Sequence, residues 1–228
     1  MKRLMLGAVL AASTMATPAL AQNYNPVSNG GPSANFQYGF NTGAGFTPFT
    51  SYFAASTCPR IAGTSCFLRS PGNGGDFLGT YFVTQDTATQ GAFLYATDAT
   101  LHPGPGGNEL AVVRFIAPTA GRYDFKGFFR GVDAPNSGNG VLVTPNNGNA
   151  LVLNNGVNNA FGFGLTLGAG AFVDFAVSNN NGYSNDTTGL NLNVAAVPEP
   201  ASWGLMILGF GLAGYAMRRR SARVAFAA

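Results

Sequence analysis

Between residues 22 and 196 the chain holds eight carboxylates, Asp76, Asp86, Asp98, Glu109, Asp124, Asp133, Asp174 and Asp186, with one histidine and two cysteines. Two carboxylates across a groove can hydrolyse a glycosidic bond, one as general acid and the other as base or nucleophile. These eight are scattered singly, so sequence alone pairs none of them. A Ser-His-Asp or Cys-His site would have to use His102. It stands in Leu101-His102-Pro103-Gly104-Pro105-Gly106, whose turn formers predict a solvated loop, and no serine occupies a Gly-x-Ser-x-Gly elbow. One histidine also excludes a histidine-rich zinc site.

Cys58 and Cys66 flank Pro59 to Ser65. In an oxidising compartment an isolated pair reads as a disulfide closing a small loop, stabilising by about 2–3 kcal/mol in the chain-entropy model. A metal site needs more ligands than two thiols, and a redox site normally uses the tighter C-x-x-C. The run Ser178 to Asp186 offers amide, carboxylate and backbone oxygens, which suit a hard cation such as calcium. Asn181, Asn185 and Asp186 are its candidate ligands. The competing reading is an ordinary polar loop, because EF-hand spacing is absent. No other cofactor is expected. Tyr183, in the same run, is the candidate exposed ring for a sugar, since this region has no tryptophan, the broadest stacking surface.

The elements that must position these residues are short apolar runs punctuated by Gly, Asn and Pro. Phe36, Tyr38 and Phe40 alternate, and Phe77 to Val83 and Ala92 to Tyr95 follow. Leu110 to Ile116 is apolar except for Arg114, as in a strand covered on both faces. In Arg122 to Arg130 the residues Tyr123, Phe125 and Phe129 share one face, and Arg122, Asp124, Lys126 and Arg130 the other, a half-buried strand. Val141 to Val143 and Ala150 to Leu153 flank the turn Pro145-Asn146-Asn147-Gly148, predicting a hairpin. Phe161 to Leu167 and Ala171 to Val177 flank Gly168-Ala169-Gly170, predicting a second, and Leu190 to Val194 a last strand. This spacing, without a long internal helical period, predicts an all-β fold, an antiparallel β-sandwich of the jelly-roll kind.

Residues 22–196 suit one domain, with 22–34 as a loose lead-in. Six cations stand against the eight anions there, a net charge of −2, so a nucleic-acid partner, which needs a basic patch, loses its support. The basic whole-chain balance comes from the ends.

Residues 1–21 have the layout of a secretory signal peptide: Lys2 and Arg3, an apolar core from Leu4 to about Met15, and Ala19-Leu20-Ala21 as the small-x-small cleavage site for signal peptidase. Residues 197–228 form a second address. Val197-Pro198-Glu199-Pro200-Ala201-Ser202-Trp203 leads into an apolar helix over 203–217, expected as a short transmembrane segment, and Arg218, Arg219 and Arg220 make a basic stop. Gly209 to Gly214 formally matches G-x-G-x-x-G, but it lies in this helix without a preceding strand and is no nucleotide site.

Pro198, Glu199, Pro200, Trp203, Gly209-Phe210-Gly211 and the three arginines resemble the PEP-CTERM sorting tail of the PEPxxWA subtype, with Gly204 where alanine is usual. The resemblance implies export, transient inner-membrane anchoring and processing by exosortase, in Gram-negative bacteria that make exopolysaccharide. It implies a destination at the cell surface or in the extracellular matrix. Pro118-Thr119-Ala120-Gly121-Arg122-Tyr123 resembles the P-x-x-G-x-Y turn of exported jelly-roll modules similar to carbohydrate-binding domains, among which a structural calcium is frequent. The expected function is a non-enzymatic module contacting exopolysaccharide or matrix proteins. The alternatives are a carbohydrate-active enzyme using paired carboxylates and a purely structural spacer.

Overall fold

The computed structural model describes residues 21–27, 33–54, 57–73, 75–134, 140–145, 151–153, 159–179, 182–198 and 200–221. The signal segment with Ala19, the turn residues Asn146 to Gly148, Asn181 and Glu199 lie outside the described residues. Ala21–Val197 form one compact unit.

In chain order the unit begins with β1 (Asn23–Tyr24), β2 (Phe36–Asn41) and β3 (Phe46–Pro48). Then come β4 (Ser51–Phe53), β5 (Ser65–Leu68), β6 (Gly79–Phe82), a hairpin of β7 (Thr87–Thr89) and β8 (Ala92–Leu94), and β9 (Ala99–His102). Next are β10 (Leu110–Ile116), β11 (Gly121–Gly131), β12 (Gly140–Pro145) and β13 (Leu151–Leu153). The last strands are β14 (Asn159–Leu167), β15 (Phe172–Ser178) and β16 (Thr188–Val197), and a helix, α1 (Pro200–Ser221), follows in the C-terminal segment.

The strands make two antiparallel sheets packed face to face. The first runs β14-β11-β16-β9-β6-β5-β4, with β1 also against β16; the second runs β13-β12-β15-β10-β2-β3. From β10 on, successive strands alternate between the sheets, except that β12 and β13 stay together as a hairpin. This is the sandwich that the apolar periodicity predicts. Inward residues of both sheets, among them Phe115, Phe125, Phe129, Phe175, Leu190 and Leu192, are 0–1% exposed and form one core. Burial of this kind, about 1.5–3 kcal/mol for each large side chain, is what holds two such sheets together.

Three local expectations meet the structure with different outcomes. Gly168-Ala169-Gly170 is not a hairpin turn. It carries the chain from β14 in the first sheet to β15 in the second, with Gly170 at φ 78° and Ala117 pairing its N–H and C=O with Ala171 and Gly170. Glycine spacing marks a reversal, but it does not tell a turn within a sheet from a corner between sheets. The lead-in is only partly loose: Tyr24 is buried and packs on Phe115 and Tyr123, ring centroids 5.5 and 6.4 Å away. β10 does have a covered outer side, since Val112 is 2% exposed. There Arg114 is held by both carboxylate oxygens of Asp174, 2.6 and 2.7 Å away, and lies 3.6 and 4.0 Å over the rings of Phe172 and Phe46. One feature of the first sheet lies outside these expectations. β5 and β6 are buried at every residue, because a second core lies on the outer side of that end. Cys58, Ile61, Cys66, Leu68, Tyr81, Val83, Leu94 and Val132 build it.

Candidate functional site

Cys58 and Cys66 are joined by a disulfide, Cα–Cα 5.6 Å, and Cys66 is fully buried in the second core. The bond holds the 58–64 loop against Leu68 and Tyr81. Beside it, three loops are tied by polar side chains. Arg60 donates to the carbonyls of Ser70, Pro71 and Asn73. Arg69 bridges Asp76 at 2.8 Å and Glu109 at 2.5 Å. That hydrogen bond from Arg69 holds the Glu109 carboxyl below the usual range. Asn179 Nδ2 donates to the carbonyls of Gly104 and Gly106, each at 3.0 Å, which fastens the 103–109 loop to the end of β15.

His102 and Tyr183 belong to this assembly. His102 is not in a solvated loop: it ends β9, its ring 5.6 Å from Phe77 and 5.2 Å from Tyr183, and burial lowers its pKa. Tyr183 is half-buried rather than a free platform. Its hydroxyl donates to Gly75 O at 2.7 Å and accepts the Phe77 N–H at 2.8 Å. The phenol therefore works as a strut between the 75–77 and 183–186 segments. Of the candidate calcium ligands, Asn181 lies outside the described residues, Asn185 is exposed at φ 62° and Asp186 is 1% exposed. Among the described residues no three His, Cys, Asp or Glu side chains cluster as a metal site.

Asp76 and Glu109 share Arg69, while Asp86, Asp98, Asp124, Asp133 and Asp174 are engaged singly. Besides Asp76, Glu109 and Asp174, Asp98 takes Arg130 at 2.5 and 2.8 Å and Asp124 takes Arg122 at 3.4 Å. Asp86 accepts the Ala96 N–H at 2.8 Å, and Asp133 that of Thr187 at 2.5 Å. Burial without a partner would be costly for Asp98, which is 0% exposed; the Arg130 fork compensates it, and the same contact raises the Arg130 pKa.

An open surface lies on the outer side of β14, β11 and β16. β11 has the expected period: Tyr123, Phe125 and Phe129 are 0–1% exposed, and Arg122 and Lys126 point out. Tyr123 also folds its hydroxyl back onto Thr119 O at 2.7 Å, fastening the turn that Pro118 and Gly121 open. Period two further places Phe128 outward, a placement that a list of β11's inward rings overlooks. Arg130 lies 3.5 Å over Tyr95 and 4.9 Å over Phe128, so a guanidinium and two rings share one end of this face. β16 adds Asn191 and Asn193, and β14 adds only Ala160, Gly162, Gly164 and Thr166, which leaves the β11 side chains unobstructed. Along β16, β9 covers residues 188–190 and β1 covers 194–195. Between them opens a shallow groove of about 370 Å³ lined by Asn25, Val27, Ala96, Thr97 and Asn191.

The C-terminal segment carries the sorting residues. Pro200 opens α1, where a missing N–H costs nothing. Ile207, Leu208, Phe210, Leu212, Tyr215 and Met217 are 59–73% exposed and spread around the helix, and Arg218 is exposed at its end. The side chains of Trp203, Arg219 and Arg220 lie outside the described residues. Among the described residues no helix is long and apolar enough to cross a membrane. The expected transmembrane helix is thus narrowed to a short apolar one: Trp203 to Met217 covers about 22 Å at 1.5 Å per residue, against about 30 Å of hydrocarbon.

Residues 196–220 match the PEP-CTERM protein-sorting motif. Comparison with curated proteins returned no match. Among solved structures the chain is similar to a Podospora anserina GH26-CBM35 β-(1,4)-mannanase, with 14% identity, 66% of this chain and 28% of that one covered, and a TM-score of 0.28. It is also similar to a family 35 carbohydrate binding module from Clostridium thermocellum (15% identity, 53% and 87% covered, TM-score 0.27). A third is the enzymatically active domain of bacteriophage CBA120 tailspike protein 4 (10% identity, 72% and 20% covered, TM-score 0.31). The chain spans under a third of the mannanase and of the tailspike domain, and at such TM-scores the likenesses carry no argument. What the matched tail establishes is a sorting class: the chain is one of the exported proteins that carry a PEP-CTERM motif, anchored transiently in the membrane and targeted to exosortase.

Proposed function

We propose that this chain is a non-enzymatic module of the cell surface or extracellular matrix, and that it contacts exopolysaccharide or matrix proteins through the outer face of β14, β11 and β16. A signal peptide cleaved after Ala21 supplies export in this reading, and exosortase acts on the tail. The observation that carries it is the fate of the acids: five of the eight carboxylates of residues 22–196 are ion-paired to arginine. A glycosidase needs two carboxyl groups about 5–10 Å apart with room between them for sugar and water. Acids already paired with guanidinium groups, two of them (Asp98 and Asp174) through both oxygens, are suited to folding rather than proton transfer. The open face, by contrast, offers the Asn193 amide, the Lys126 charge, the exposed Arg122–Asp124 pair and the half-buried Phe128 ring.

Affinity electrophoresis of residues 21–197, the compact unit, in gels holding the producer's exopolysaccharide tests this, run with calcium and with EDTA. Retardation that Lys126→Ala and Asn193→Ala diminish supports the face. Loss of retardation in EDTA would move the contact to the 178–186 run and its candidate calcium ligands. Unchanged mobility in both gels sinks the glycan contact, and release of reducing sugar from the same polymer would replace the module with an enzyme.

A further inference from the structure

We propose that Phe93, Tyr95 and Phe128 form a stacking strip for an uncharged polysaccharide chain, with the groove beside Asn191 receiving hydroxyl groups of the sugar on the strip. This site rests on the matrix reading and gives it a ligand class. Phe93 belongs to β8 and Tyr95 follows it two positions on; their rings meet at 4.9 Å and 63°. The Arg130 guanidinium continues the row, 3.5 Å over Tyr95 and 4.9 Å over Phe128 on β11. The groove adjoins both parts of the strip. Ala96 and Thr97 of its lining come directly after Tyr95 in the chain, and Asn191 stands opposite Phe128 in register.

Three observations set these residues apart from the core. Among the described residues of the compact unit, Phe93 is the one exposed phenylalanine, at 42%. The Tyr95 hydroxyl holds no hydrogen bond to the described residues. Those of Tyr24, Tyr38, Tyr81, Tyr123 and Tyr183 each bond within the chain. Asn191 donates Nδ2 to Thr97 O and Asp98 Oδ1, at 2.9 and 3.3 Å, while no described residue bonds its side-chain oxygen. An exposed ring, a hydroxyl and a carbonyl oxygen side by side match a pyranose, whose C–H face is apolar and whose rim donates and accepts.

Charge selects the class of chain. Both oxygens of Asp98 take Arg130, at 2.5 and 2.8 Å, so the cation in the strip is already neutralised. Asp86, exposed, accepts the Ala96 N–H beside Tyr95 and sets a negative charge next to the strip. An acidic polymer would meet Asp86 and Asp98, and a cationic one would meet Arg130. Like charges brought together at a contact are costly, and an uncharged chain avoids both repulsions.

The producer's exopolysaccharide, split by anion exchange into uncharged and acidic fractions and coupled to beads, tests the strip with the full-length chain in non-ionic detergent. The wild type should bind the uncharged fraction with an affinity that added salt leaves unchanged. Phe93→Ala and Phe128→Ala should each weaken binding about fivefold to tenfold. Phe93→Tyr should bind as the wild type does, and Phe93→Leu as poorly as Phe93→Ala, because leucine keeps apolar area but has no flat face. Full binding by Phe93→Leu overturns stacking. Binding that Lys126→Ala weakens while both phenylalanine variants match the wild type overturns the strip and leaves the outer-face contact standing. Binding to the acidic fraction alone overturns the ligand class, again without touching the matrix reading. Self-association that Phe93→Ala abolishes overturns the strip by assigning it to a second copy. Binding to neither fraction overturns the strip and the glycan contact together.

Discussion

The two ends of the first sheet solve opposite problems. At β5 and β6 every residue is buried, because the disulfide loop and the β7–β8 hairpin close over the outer side and make a second core. At β11, β14 and β16 the outer side is open, and apart from Phe128 and Thr166 its central outward residues are charged, amide or very small. One sheet thus carries a covered end and an open end. The difference is written in the pattern: Ser-Cys-Phe-Leu and Gly-Thr-Tyr-Phe do not alternate, whereas Gly121 to Gly131 does. Non-alternation marks a strand with apolar cover on both faces.

The largest effect should come from truncating an outward residue at the covered end. Leu68, 1% exposed in the second core, becomes a cavity in Leu68→Ala, which should cost about 2–5 kcal/mol in urea unfolding of residues 21–197. If the loss is under about 0.5 kcal/mol, as for a surface change, the loops are not a core and the contrast between the ends fails.

Next comes the disulfide. Cys58→Ser with Cys66→Ser frees the loop that roofs Tyr81 and Leu68 and should cost about 2–3 kcal/mol. Hydrogen exchange sharpens the prediction: protection should fall at β5 and β6 and stay unchanged at β14. A uniform loss over both ends would make the sheet a single cooperative unit and blunt the comparison.

This contrast was only half legible in the sequence. Period two in Arg122 to Arg130 placed the open face correctly, and the alternating runs implied the sandwich. The covered end was harder to read, because its cover comes from irregular loops whose apolar residues, such as Ile61 and Val132, stand alone in sequence. The charged ties were invisible for the same reason: Arg69 and Glu109 are forty positions apart and meet only through the fold. His102 and Tyr183 misled because proline, glycine and asparagine neighbours predict exposure. Here those turns fold back on one another, and ring and hydroxyl fill the space between them.

His102 offers a smaller and pH-coded test of the covered end. Burial lowers its folded-state pKa below the ordinary 6.5. The unfolded chain therefore takes up a proton that the folded chain refuses as pH falls from about 7 to 5, and stability drops in that window. His102 is the only histidine, so His102→Gln should flatten the profile between those pH values. Below about 4.5 a second loss should begin in both proteins, because Arg69 depresses the folded pKa of Glu109 and protonation removes that contact. Identical slopes for the two proteins between pH 7 and 5 would mean that His102 titrates as freely folded as unfolded.

The smallest effect on stability belongs to the open end, and its smallness is informative. Lys126 and Asn193 project from adjacent strands, paired in register, and both are exposed. Lys126→Ala and Asn193→Ala should each change unfolding free energy by no more than about 0.5 kcal/mol. A residue that contributes nothing to the fold yet shifts mobility in a polysaccharide gel is held there for contact. If either substitution destabilises as much as Leu68→Ala, the outer face of β11 is covered in solution, and the asymmetry between the two ends of the sheet is lost. If stability and retardation both stay unchanged, these strands remain open but the contact lies elsewhere on the molecule.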